Sequence, residues 1–138
     1  MPWIQNVSKQ AILHTTFKDP GINSMLIQII DPGTEFPKSS CKFKEIHQFE
    51  FLDVEKNSEF SEFEISNATA SKLVSLLQHA LAEDMNVIVH CIAGICRSGA
   101  VAEIGVILGF EDTSVFRNSN LLVKHKMMKE LGWLYDTE

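Results

Sequence analysis

The chain of 138 residues carries 12 Lys and Arg against 18 Asp and Glu, for a formal net charge of −6, and 45% of it is apolar. That length suits one domain over residues 1–138 with an ordinary core, and the acidic balance disfavours nucleic acid or an anionic membrane as partner, since both demand a positive footprint. The first ten residues lack a basic segment followed by an apolar run, and no stretch of about eighteen apolar residues occurs, so neither a secretion signal nor a membrane span is expected and a cytoplasmic location is. The 3 cysteines, Cys41, Cys91 and Cys96, are an odd number in such a chain and read as thiols rather than a disulfide framework.

In chain order, residues 3–13 mix apolar and polar side chains and are expected to supply one edge strand. Lys18, Asp19, Pro20 and Gly21 signal a turn, and residues 25–30 are nearly all apolar, as in a strand buried on both faces, until Asp31, Pro32 and Gly33 end it. Residues 34–44, polar with Pro37 and two serines, suit a surface loop or short helix, and Cys41 there belongs to no motif. Residues 46–52 alternate, with Phe49 and Phe51 on one face, which predicts a third strand stopping at Asp53. Residues 55–64 form an acidic connection in which Phe60 and Phe63 are expected to anchor; its carboxylates lack a spacing that fixes a coordination shell, so no metal site is read there. Ser66 or Asn67 caps a helix to about Glu83, with Ala70, Leu73, Val74, Leu77, Ala80 and Leu81 on one stripe and His79 at the surface.

Residues 86–99, NVIVHCIAGICRSG, carry the chemistry. Val87 to Val89 read as a buried strand; His90, Cys91, five small or aliphatic residues, Arg97 and Ser98 follow, and then an apolar helix pattern. A loop between a strand end and a helix start turns successive backbone N–H groups inward, and the helix adds its free donors and the positive end of its dipole, so an oxyanion is attracted. Cys91 sits at the base of this cradle, where amides and Arg97 favour thiolate over thiol, and the planar fork of Arg97 suits bidentate contact with phosphate. Residues 100–108 predict a helix buried nearly all round, with Gly105 permitting close packing and Gly109 ending it. A polar connection over 111–120 leads to a last amphipathic helix over 121–131, whose Lys124, His125, Lys126 and Lys129 read as a solvated face. Trp133, Leu134 and Tyr135 are expected to fold back on the core.

Strands alternating with helices predict an α/β fold with a central, largely parallel sheet of four to five strands covered on both faces. Ligands in such sheets bind at the carboxyl ends of the strands, which brings Asp53 and Cys91 to one rim.

The pattern HCxAGxxRSG, given by His90, Cys91, Ala93, Gly94, Arg97, Ser98 and Gly99, resembles the signature of the cysteine-dependent protein tyrosine phosphatase superfamily. The resemblance covers roughly residues 53–131 in layout, with only the signature close in sequence. It implies a protein tyrosine phosphatase-like fold and a phosphate site made by Cys91, Ile92, Ala93, Gly94, Ile95, Cys96 and Arg97. His90 would hold the loop and tune Cys91, and Ser98 would offer its hydroxyl to the departing sulfur. Asp53 fits the general acid of the compact dual-specificity branch, on a loop after a strand; Asp31 is the second candidate, and the Trp-Pro-Asp acid loop of the larger domains is absent. Asn120 occupies the place of a family Asn usually preceded by Pro, here Ser119, and its role stays open.

The implied reaction is hydrolysis of phosphotyrosine monoesters, and in the dual-specificity branch of phosphoserine and phosphothreonine too, through a phosphocysteine on Cys91. Asp53 first protonates the leaving oxygen and then activates water, with no metal or organic cofactor. The expected partners are a phosphorylated protein or peptide and an oxyanion in the loop, with the chain a monomer. A phosphate-binding module without turnover and a thiol redox or sulfur-transfer enzyme remain the alternatives. The variable loop positions Ile92, Ala93, Ile95 and Cys96 hold no Lys or Arg, so a polyanionic substrate is expected to be repelled. Cys91 and Cys96 lie at the ends of a loop curled around one anion, within reach of a disulfide, and their spacing is similar to that of low-molecular-weight tyrosine phosphatases; a reversible, protective Cys91–Cys96 link under oxidation is expected, against a passive Cys96.

Overall fold

The structure, a computed structural model, describes residues 1–54 and 61–133. Its centre is a sheet of β1 (Trp3–Ser8), β2 (Ser24–Ile30), β3 (Glu45–Glu50), β4 (Asn86–Cys91) and the short β5 (Glu111–Asp112). All five strands run parallel, in the order β3-β2-β4-β1-β5. Parallel neighbours need crossovers, and four helices accompany the strands: α1 (Lys9–His14), α2 (Asn67–Ala82), α3 (Arg97–Leu108) and α4 (Leu121–Glu130). This is the α/β architecture that the alternation of patterns predicts. None of the described helices is long and apolar enough to cross a membrane.

Position in the sheet accounts for the strand patterns. β2 lies between β3 and β4 and is buried along its whole length, whereas β3 sits at the edge and leaves Ile46, Gln48 and Glu50 exposed. Two expectations need correction at the start of the chain. β1 is not an edge strand, because it pairs with β4 from Ile4 to Ser8 and with β5 at Trp3 and Ile4. It also ends at Ser8, whose Oγ accepts the Ala11 N–H at 3.1 Å and so starts α1. Of the polar residues that made the segment look peripheral, Gln5 and Asn6 are spent on contacts with other loops and Ser8 on the cap of α1.

The alternation of side chains divides the core between two faces. Ile4, Met25, Ile27, Val87 and Val89 pack with α2, α3 and α4 through Leu73, Leu77, Ala100, Ile104, Val123 and Met127. Trp3, Val7, Leu26 and Ile88 face the other way onto Ile12 of α1, which is wholly buried and contributes about 2 kcal/mol. Ser66 caps α2 through Thr69 N–H, and the predicted stripe is buried except for Leu81, which is only partly covered.

α3 is buried from Arg97 to Gly105 apart from the partly exposed Glu103, after which Ile107 turns to solvent, so burial all round holds only for its first turns. A Cβ on Gly105 would stand 2.8 Å from Ile4 Cδ1, which is why α3 approaches β1 so closely. β5 falls inside the connection read as polar loop. The cations of α4 are not all solvated: Lys124 pairs with Glu103 at 3.1 Å, and Lys126 reaches Glu64 at 3.2 Å and the Ile65 carbonyl at 2.5 Å. Phe63 and Trp133 stay substantially exposed rather than anchoring on the core. Most of the acidic connection with Phe60, and the terminal Leu134 and Tyr135, lie outside the described residues.

Candidate active site

Because every strand runs the same way, their carboxyl ends line one rim. In sheet order the rim carries Asp53 beyond β3, Asp31 beyond β2, Cys91 closing β4 and Lys9 beyond β1. The chain from Cys91 to Arg97 forms a loop between β4 and α3, and neighbouring segments tie down four of its outward carbonyls. Lys9 N–H donates to the Ile92 carbonyl at 3.1 Å, Asn118 N–H to Ile95 at 3.1 Å and Asn120 N–H to Cys96 at 3.0 Å. Asn6 Nδ2 donates to Gly94 O at 2.7 Å and to Phe116 O at 3.0 Å. A planar trans peptide points its N–H opposite to its C=O, so these outward carbonyls turn the N–H groups of Ala93, Ile95, Cys96 and Arg97 inward.

Gly94 is required where the loop touches β1. Its φ is +76°, and a Cβ there would lie 2.4 Å from Ser8 N and from the Val7 carbonyl carbon. This close contact lets the loop curl over the strand end.

Cys91 Sγ lies at the bottom of the loop and is almost wholly buried. Gly94 N–H donates to it at 3.3 Å, and Ser98 Oγ, in the first turn of α3, lies 3.1 Å away. Arg97 is 4% exposed, and its Nη1 donates to Asp31 Oδ1 at 2.8 Å and to the Phe51 carbonyl at 2.7 Å. Its Nε, also buried, meets no hydrogen-bond acceptor. A buried donor left unmatched costs about 1–3 kcal/mol, and an oxyanion in the loop is a group able to accept from it.

His90 is fully buried, and its Nδ1 lies 3.3 Å from the Cys91 carbonyl oxygen. Burial pushes its pKa down to about 4, against the Cys91 carbonyl bond, while the charges of Lys9 and Arg97 lower it further. The ring is therefore neutral, donates to the loop backbone from Nδ1, and makes no bond to the thiol.

The two carboxylates proposed as acid have different partners. Asp31 is engaged by Arg97, a permanent cation, whereas Asp53 Oδ1 accepts from the neutral amide of Asn120 at 2.6 Å. Cys96 stands beside Asp53: burial raises the pKa of its thiol most, and the charge of Asp53 and a hydrogen bond to it raise it further. Asn120 also donates to Val54 O at 3.1 Å and caps α4 from Val123 N–H. One asparagine thus joins the Asp53 segment, the loop and the last helix.

Asn6, which holds two backbone carbonyls beside the cradle, was legible only as a polar residue inside an apolar strand. Lys9 carried no signal, since nothing local ties it to residue 92. Cys41 lies on the segment before β3, where burial and then the charge of Asp19 raise its thiol pKa.

No family model matches the chain, and no curated protein does. Among solved structures, the chain is similar to OH1 from the Orf virus, described as a tyrosine phosphatase with distinct structural features and triple substrate specificity. The two are 19% identical, with a TM-score of 0.49 over 96% of this chain and 61% of OH1. The chain thus spans about three fifths of the length of that protein.

Proposed function

We propose that this chain is a cysteine-dependent phosphatase for phosphotyrosine in proteins or peptides, with phosphoserine and phosphothreonine as further substrates of the dual-specificity type. The observation that carries the reading is the buried, unmatched Nε of Arg97 beside a loop of inward amides with a thiol at its base. A phosphate dianion satisfies those donors and brings phosphorus to Cys91 Sγ. The thiolate attacks, the phosphorus–oxygen bond to the leaving group breaks, and Asp53 gives that oxygen its proton. Water, losing a proton to Asp53, then attacks the phosphocysteine, and sulfur departs toward Ser98 Oγ.

The division of labour between the carboxylates follows from their partners. Asp31 faces the guanidinium and orients it, while Asp53, held by the neutral amide of Asn120, takes the acid role. The residues supply nucleophile, anion site and acid without a metal or organic cofactor.

The test is hydrolysis of p-nitrophenyl phosphate and a phosphotyrosyl peptide in the presence of a chelator, by wild type and Cys91→Ser. Turnover by the wild type and none by the variant is expected. Equal rates in the two proteins would overturn the assignment, and tight binding of the peptide without turnover by wild type would favour a phosphate-binding module.

A further inference from the structure

The flanks of the cradle are electrically unequal. On the β2 and β3 side the rim carries Asp31 and Asp53, both engaged with residues around the loop. On the β1 side it carries Lys9, whose backbone N–H is bonded to Ile92 of the loop and whose charge is felt by the buried His90, the residue before Cys91. Lys9 is half-buried, and among the described residues no carboxylate pairs with it. The variable positions of the loop hold no cation of their own and Arg117 nearby is paired with Asp112, so Lys9 brings an uncompensated positive charge to the β1 flank of the rim.

We propose that Lys9 is a specificity-determining residue, receiving a second anionic group of the substrate on the β1 side of the scissile phosphate. The inference rests on the phosphatase reading above and narrows its substrate class to phosphopeptides with a carboxylate or a second phosphate beside the phosphorylated residue. One cation suits one further anionic group, not a polyanion. The β2–β3 flank presents the carboxyl groups of Asp31 and Asp53 to the same group rather than a cation, so the charge order of the rim sets the direction in which such a peptide lies.

The experiment measures binding in the Cys91→Ser background, where phosphopeptide is retained whether or not the native protein turns it over. Three labelled phosphotyrosyl peptides are compared: one with neutral flanks, one with Glu on both sides and one with an adjacent second phosphate. The anionic peptides are expected to bind about fivefold more tightly than the neutral one. Lys9→Gln is expected to erase that preference without weakening the neutral peptide, and Lys9→Arg to keep it. Salt of about 0.5 M should narrow the gap by screening. The anionic peptide that loses more on Lys9→Gln identifies the preferred group. A preference that survives Lys9→Gln, or an equal loss for all three peptides, overturns the proposal while leaving the phosphatase reading intact. Failure of every peptide to bind the Cys91→Ser protein overturns both.

Discussion

Asn120 Nδ2 donates to Asp53 Oδ1 across 2.6 Å while Asn120 Oδ1 accepts the Val123 N–H at 3.0 Å. The start of α4 therefore sets where the Asp53 carboxylate stands. Asp53→Asn is expected to slow hydrolysis of a phosphotyrosyl peptide by roughly 10²-fold and to remove the fall in rate on the alkaline side, because the variant has no proton to lose. Asn120→Ala leaves the acid in place but unheld, so a smaller drop of about tenfold is expected, with about 1 kcal/mol of stability lost with the helix cap. Rates across pH for both variants and for Asp31→Asn provide the check: if only Asp31→Asn abolishes the alkaline limb, the acid role belongs to Asp31.

His90 makes stability depend on pH. Its pKa is 6.5 in the unfolded chain and about 4 when folded, so between these values the unfolded chain binds a proton that the folded one refuses. The stabilisation is complete above pH 6.5 and fades as pH falls toward 4, where the loss reaches roughly 3 kcal/mol. Urea unfolding at several pH values should show a steeper acid decline for wild type than for His90→Gln, whose side chain does not titrate. Parallel declines would mean that His90 takes up its proton without unfolding.

Gly94→Ala probes the loop while keeping the backbone N–H that donates to Cys91 Sγ. The added Cβ would collide with backbone at Ser8 and Val7, which has no flexible end to move aside, and the positive φ adds strain. A loss of roughly 2 kcal/mol or more is expected, together with loss of phosphate binding. Thermal unfolding with and without added phosphate measures both, and a variant still stabilised by phosphate would show that the loop can curl without this contact.

Cys96 bears on oxidation. We propose that peroxide converts Cys91 to a sulfenic acid, which the Cys96 thiolate attacks with loss of hydroxide to give a disulfide. Burial first, and then Asp53, raise the pKa of Cys96 and keep it a thiol near neutrality. Linkage should therefore quicken as pH rises, and Asp53→Asn should hasten it at neutral pH by removing the charge that disfavours the thiolate. Peptide mass mapping after mild peroxide follows the link. Equal recovery of wild type and Cys96→Ser in dithiothreitol, with no Cys91–Cys96 peptide, would end the idea.

The sequence alone determined the elements whose signals are local. The buried run of β2, the stripe and Ser66 cap of α2, and the strand, loop and helix around Cys91 depend on side-chain periodicity and on neighbours a few residues apart, and they form where the patterns place them. Strand order and everything that follows from it belonged to the tertiary structure. β1 lies inside the sheet because β5, two residues long and without an apolar pattern, pairs with its outer side. Asp31 meets Arg97, Asn6 meets Gly94 and Lys9 meets Ile92 because parallel packing gathers strand ends that are far apart in the chain. A hydrogen bond between distant residues leaves no periodicity to read, so a sequence can announce the strand, loop and helix around Cys91 while the partners that hold them appear only when the sheet is assembled.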